Sequence, residues 1–227
     1  MNTQPSNSAT ISKSINSERS ATVPMLALAL ILLVSAIIPL SVARAAVDPM
    51  TTVRNTVNQA LTVLRDQATP LAQRQDHLRQ IVASTFEFTE MGKSALGYHW
   101  RQITPEQQKE FTDVFVSFIE DSYLSKISDY RGPDYQVNFL GARADGPGFS
   151  QVNTDIIRAG KDPIHVNYRL QQQGDQWKIY DVTIDSISII ANYRNQFNRV
   201  MNNQGYSTLI NDLKGKQAAL AARLANR

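Results

Sequence analysis

Apolar residues change their spacing several times along the chain, and each change marks a different kind of segment. Residues 1–20 are polar, and Val23 to Leu40 is an almost unbroken apolar run that ends at Ser41-Val42-Ala43-Arg44-Ala45-Ala46. Small residues at Ala43 and Ala45 fit the A-x-A rule of a signal peptidase, so residues 1–45 are expected to be a signal peptide and 46–227 the mature domain. An uncleaved anchor is the competing reading, because the run approaches the ~18 residues that span a bilayer. From Asp48-Pro49 onward the period becomes helical. An N-cap carboxylate followed by proline in the first turn, with Val53, Val57, Ala60, Leu61 and Leu64 behind it, predicts a helix over about 49–66. Leu71, Leu78, Ile81, Val82 and Phe86 give a second helical stripe, and Phe88, Met91, Ala95 and Leu96 a short third one ending at Gly97. Thr104-Pro105-Glu106-Gln107 has the form of a capping box and opens the longest helix, whose broad face carries Phe111, Val114, Phe115, Phe118, Ile119, Tyr123, Ile127 and Tyr130.

From Arg131-Gly132-Pro133 the period falls to two. Three turn signals, Asp145-Gly146-Pro147-Gly148, Gly160-Lys161-Asp162-Pro163 and Gln173-Gly174-Asp175, separate four expected strands: Tyr135 to Ala144, Phe149 to Ala159, Ile164 to Gln172 and Gln176 to Ser186. Ile164, Val166, Tyr168 and Leu170 share one face of the third strand. In the fourth, strict alternation puts Trp177 and Ile179 on one face and Tyr180, Val182 and Ile184 on the other, so both faces need cover. Helical spacing returns after Ile190 with Tyr193, Phe197, Val200 and Met201, then Leu209, Ile210, Leu213, Leu220 and Leu224. Helices, a four-stranded meander and helices again define an α+β fold, with N-terminal and C-terminal helices packed on a twisted antiparallel sheet.

Composition narrows the chemistry. The chain has 227 residues and no cysteine, which removes disulfides, thiolate metal sites, a cysteine nucleophile and a lipid anchor on cysteine. Three of the 23 basic residues and one of the 20 acidic ones fall within the first 45, so the remainder carries 20 against 19, a net charge of +1. No basic stripe of the kind nucleic-acid binders carry is evident. His77, His99 and His165 have no second ligand at metal-binding spacing, and no nucleophile motif or phosphate-binding glycine loop occurs, so neither a metal nor a cofactor is expected. Asp181 and Asp185, four apart in the fourth strand, could serve as acid and base, but a solvated strand edge or a capping role for the helix that follows is the preferred reading. Glu87 and Glu90 flank a helix start, where negative charge is favoured.

Two ordered blocks carry a resemblance. Phe86-Glu-Phe-Thr-Glu-Met-Gly-Lys-Ser-Ala-Leu-Gly-Tyr-His-Trp100 with Thr104-Pro-Glu-Gln-Gln-Lys-Glu-Phe111, and Trp177-Lys-Ile-Tyr-Asp-Val-Thr-Ile-Asp185 continuing through Ile189, Asn192-Tyr193-Arg194 and Gln196-Phe197, resemble the MlaC or toluene-tolerance family. Tyr123 and Tyr130 match that family's intervening aromatic helix. Ser186 stands where the family often has glycine. The resemblance, from about Val47 to Leu213, implies a periplasmic phospholipid carrier that is not an enzyme. Such a carrier works as a monomer between an inner-membrane ABC transporter complex and an outer-membrane lipoprotein complex, and maintains outer-membrane asymmetry. It implies a fold enclosing an apolar cavity, with acyl chains expected against Phe115, Ile119, Tyr123, Val137, Phe139, Ile156, Val166, Tyr168, Ile179 and Val182. Arg143 and Arg194 are the candidate headgroup contacts. A carrier of hopanoid-related lipid fits the same motifs, and an enzyme on a similar cone-shaped α+β fold is the alternative from another class, with Asp181 or Tyr180 as its titratable group.

Overall fold

The computed structural model of the protein describes residues 48–127 and 135–225. The signal segment and Tyr130 to Pro133 lie outside the described residues. Helix α1 spans Pro49–Arg65, α2 Leu71–Thr85, α3 Phe88–Leu96 and α4 Pro105–Ile127, with a 3₁₀ helix over Gly97–Gln102 ahead of α4. Strands β1 Tyr135–Ala144, β2 Phe149–Arg158, β3 Lys161–Gln173, β4 Gln176–Ile184 and β5 Ile187–Ser188 follow, then α5 Ile189–Gln204 and α6 Tyr206–Ala225.

Local chemistry starts the helices where the sequence places them. The Asp48 carboxylate accepts from Thr51 N at 3.0 Å ahead of Pro49, satisfying one of the orphan donors of the first turn. The capping box forms reciprocally: Thr104 N donates to Gln107 Oε1 at 3.0 Å, and Gln107 N donates to Thr104 Oγ1 at 3.3 Å.

The sheet is an antiparallel meander in the order β1-β2-β3-β4-β5. Strand β3 begins three residues earlier than its periodicity predicts, because Gly160, at φ +68°, reverses the chain and leaves Lys161 free to pair with Arg158. A fifth strand appears where four are expected. It is two residues long and is made by a tight turn in which Asp185 and Ser186 both take left-handed backbone, at φ 46° and 70°. Asp185 steadies the turn by accepting from His165 N at 3.0 Å. Among the described residues the Ser186 side chain has no comparable partner, so its conformation costs roughly 1 kcal/mol that glycine would avoid. Ser186→Gly is therefore expected to raise stability by up to about 1 kcal/mol, part of the gain being lost to unfolded-state entropy, read as a higher urea midpoint at unchanged m.

Two apolar clusters meet at Phe86. One is helical and joins α3, α4, α5 and α6 around Phe111, Phe115, Phe197 and Leu213. The other joins α1 to the sheet through Val53, Val152, Leu170 and Ile179, each 0% exposed. Strand β4 faces both. The chain at Phe86 and Glu87 runs along its edge, with Glu87 N donating to Ile179 O at 2.8 Å. Tyr180 packs against the helical cluster while Ile179 packs under α1, so both faces of the strand are covered.

Candidate functional site

Register determines what one face of the sheet presents. Val137 pairs with Ile156 and Phe139 with Thr154; Val152 pairs with Tyr168, and Thr154 with Val166. Val166 pairs with Ile184, Tyr168 with Val182 and Leu170 with Ile179. Between Ile179 and Asp181 the register slips by one residue, because Leu170 faces Ile179 while Arg169 faces Asp181. This bulge corrects the strict alternation expected for β4. Tyr180 becomes the extra residue, and Val182 and Ile184 return to the face that holds Ile179. A second slip, between Phe139 and Gly141, leaves Leu140 60% exposed and brings Ala142 and Ala144 back to the face of Phe139.

All seven sheet positions of the expected tail-binding set, Val137, Phe139, Ile156, Val166, Tyr168, Ile179 and Val182, thus share one face. The cross-strand rows from Ala144, Ser150, Leu170 and Ile179 to Val137, Ile156 and Ile164 hold no charged strand residue, and the next row on the same face, where Tyr135 pairs with Arg158, ends that apolar stretch with a cation. The opposite face carries Arg143, Asp155, His165 and Arg169, with His165 Nδ1 2.6 Å from Asp155 Oδ1. Cover is uneven. Met50, Val53 and Val57 of α1 pack over Val152, Leu170 and Ile179, whereas Val137, Ile156, Ile164, Val182 and Ile184 are only half-buried.

The helical members of the set stand elsewhere. Phe115 is 1% exposed and ringed by Phe111, Tyr193 and Phe197 at 5.4, 5.6 and 5.5 Å, and Ile119 belongs to the same helical cluster. Tyr123, half-buried, lies near Tyr193 and Asp181. A cleft of about 610 Å³ opens between α2, α4 and α6 and one of about 250 Å³ between α5 and α6; neither is lined by any of the ten residues.

Both headgroup candidates have structural partners instead. Arg143 bonds Gln151 Oε1 at 3.3 Å on the opposite face, and Arg194 Nε donates to Ser94 O at 2.6 Å near the end of α3. Cations at the apolar face are Arg158, one row beyond Val137 and Ile156, and Arg54, whose guanidinium sits 4.3 Å from the Phe139 ring centroid. Its place next to Val53 in the helical stripe is the sequence signal; which helix would cover the sheet is not contained in that stripe.

Asp181 and Asp185 do not form a pair. Asp185 sits in the β4–β5 turn, past the end of the strand, while Asp181 is buried and caps α5, accepting from Ser188 Oγ at 2.7 Å and from Ile190 N at 3.2 Å. Among the described residues no group of three His, Cys, Asp or Glu could hold a metal. His99 is buried between Gln102 and Asn198 at 3.0 and 2.9 Å, a packing role.

The tyrosines of these surfaces report dry surroundings. Burial pushes the Tyr168 phenol up to about 12, against a lowering hydrogen bond with Thr154, and burial pushes Tyr123 up to about 12 with help from Tyr193 and Asp181. For a phenol raised in the folded state, the associated stability is full below pH 10 and is lost as pH rises toward 12. A urea midpoint that falls between pH 10 and 12, by the equivalent of about 2 kcal/mol per tyrosine at most, is the expected result. Tyr168→Phe should flatten that fall.

The sheet thus presents an apolar, partly open face under one helix, and the nearby Asp181 carboxylate is engaged in capping. The family model described as MlaC protein matches residues 54–215, and the chain belongs to that family. It is 25% identical over 126 residues to the intermembrane phospholipid transport system binding protein MlaC of Haemophilus influenzae, covering 54% of this chain and 58% of that protein. It is also 25% identical over 131 residues to the toluene tolerance protein ttg2D of Pseudomonas putida, covering 57% and 60%. The matched segments therefore span under two thirds of these curated relatives. A solved phospholipid-binding protein from Ralstonia solanacearum, in complex with a phospholipid, superposes with a TM-score of 0.69 at 26% identity, covering 77% of this chain and 99% of that one.

Proposed function

We infer that this protein is a periplasmic phospholipid carrier, exported by residues 1–45 and cut before Ala46. It receives lipid from one membrane-bound assembly and delivers it to another, an outer-membrane lipoprotein complex and an inner-membrane ABC transporter complex. The observation that carries the reading is the apolar stretch of the sheet face whose rows at Val137, Ile156, Ile164, Val182 and Ile184 stay half-buried. Acyl chains laid there, beside Phe139, Val166 and Tyr168, exchange water for hydrocarbon.

Magnitudes explain both the need for a carrier and its limits. Each CH₂ exposed to water costs about 0.8 kcal/mol, so a two-chain lipid crosses an aqueous compartment only when shielded. Transfer from bilayer to pocket replaces one hydrocarbon environment by another and is nearly neutral, so direction is set by the partners. Headgroup selectivity is correspondingly weak, since the face meets the tails, with Arg54 and Arg158 at its margins.

The test is extraction. The exported chain, purified without detergent, is expected to begin at Ala46 and to release phospholipid into organic solvent, identified by mass spectrometry. Val182→Trp places an indole in the half-buried row and should abolish the lipid load while costing about 1–3 kcal/mol of stability. A well-folded Val182→Trp chain with an undiminished load would refute the assignment of this face.

A further inference from the structure

The apolar sheet face is sealed at one end and open at the other, and the two ends differ in charge. Val152, Leu170 and Ile179, each 0% exposed, lie under Met50, Val53 and Val57 of α1, which closes that end. At the other end Val137, Ile156 and Ile164 are half-buried, and the next row pairs Tyr135 with Arg158. A strand advances about 3.3 Å per residue, so Arg158 stands about 7 Å beyond Ile156 on the same face. Its guanidinium, on a half-buried side chain, donates through Nη2 to Asp162 O at 3.2 Å. Nε is shut in by the protein without a partner, and Nη1 makes no hydrogen bond among the described residues. A second guanidinium reaches the same row from α1, where Arg65 Nη2 donates to Tyr135 O at 3.0 Å. Lys161, exposed, faces Arg158 across the β2–β3 ladder.

Among the described residues no carboxylate forms an ion pair with Arg65, Arg158 or Lys161. Asp66, next to Arg65, is turned to Ala68 N and Thr69. Arg54 belongs elsewhere, over the Phe139 ring four residues along β1. Like charges gathered in one row repel, and a partly desolvated guanidinium is stable only when an anion meets it. We propose that Arg158, through Nη1, and Arg65 bind the phosphodiester of the lipid whose tails lie on this face. Given the carrier reading, on which this site rests, the tails occupy the rows at Val137 and Ile156 and the glycerol backbone spans the step to the Tyr135–Arg158 row. The sealed end leaves the headgroup no other exit along the face. Every phospholipid carries that phosphate and the alcohol beyond it stays in water, so the site separates phospholipid from diacylglycerol without sorting headgroups.

The delipidated exported chain is incubated with vesicles of dioleoylphosphatidylglycerol holding a minor share of dioleoylglycerol, then re-isolated and extracted. The ratio of the two lipids in the extract is divided by their ratio in the vesicles. Both carry the same tails and leave the same membrane, so vesicle docking and tail burial cancel. The unmodified sequence is expected to favour the phospholipid about tenfold or more, as charge-assisted hydrogen bonds to one ligand and not the other do. Arg158→Gln should bring the ratio close to one while diacylglycerol uptake persists, a split that loss of fold alone would not produce. Arg158→Lys, which keeps the charge without the planar fork, should fall between. Should Arg158→Gln fail to fold, Arg65→Gln, at an exposed position, is read in its place and should lower the preference severalfold. A phosphate ester without tails could offer the same chemistry, and glycerophosphoglycerol separates the sources: no competition at large excess supports the lipid, and full displacement of the lipid overturns it. Equal uptake of both lipids by the unmodified sequence, or undiminished preference in Arg158→Gln or Arg65→Gln, overturns the phosphodiester site and leaves the carrier reading standing. Uptake of neither lipid overturns both.

Discussion

Phe115→Ala is expected to lower the unfolding free energy by about 3–5 kcal/mol, the range for removing a fully buried aromatic ring. Phe115 sits at the middle of a ring cluster spanning α4 and α5, stacked on Phe111 and edge-on to Tyr193 and Phe197. Its loss opens a cavity that these rings cannot close without leaving their rotamers, and the favourable ring geometry goes with it. Urea denaturation of the apo chain reads the effect directly. The companion measurement is lipid load at a temperature where the variant is still folded, which should stay near wild type. A cost under about 1 kcal/mol with a lost lipid load would return Phe115 to the tail-binding surface.

Asp181→Ala is expected to cost about 2–4 kcal/mol, combining the loss of a helix cap with two donors left unsatisfied in a buried place. The donors are Ser188 Oγ and Ile190 N, and Ser188 itself caps α5 by accepting from Ala191 N at 2.9 Å. Asp181→Asn keeps an acceptor for one of the two and should recover part of the loss. Equilibrium unfolding of the two variants side by side is the measurement. A near-neutral Asp181→Ala would mean that the start of α5 is held by packing alone; a variant of native stability that lost a hydrolytic activity would revive the acid–base reading of this carboxylate.

These two residues mark the boundary between what was legible in the chain and what was not. Phe115 reads from periodicity as a residue of the apolar helix face, and it is one. That stripe does not say whether its partner is another helix or the sheet, since an apolar side chain is satisfied equally by Phe197 or by Val166. Asp181 reads as one of two carboxylates on a strand face, and the reading fails with Asp185 because strict alternation presumes an unbroken ladder. The capping alternative was visible in the short distance to the next helix, and the hydrogen bond to Ile190 N realises it.

By itself the sequence determined the α+β class, the places where helices start and the positions where the sheet turns back on itself. These are properties of neighbouring residues: a carboxylate or hydroxyl reaching an amide three positions on, a proline with fixed φ, a glycine at Gly160 admitting φ +68°. The family blocks added identity where spacing alone gave none. Tertiary structure decided the rest. The bulge at Tyr180 puts Val182 on the face of Ile179, and it sits where Glu87 N bonds Ile179 O and Asp181 turns to α5. The α2–α4–α6 cleft assembles Gln75, Glu120 and Gln217 from three separate helices. Such features depend on contacts between residues far apart in the chain, whose free energy is set by which surfaces meet, whereas local periodicity records only which side of each element is apolar.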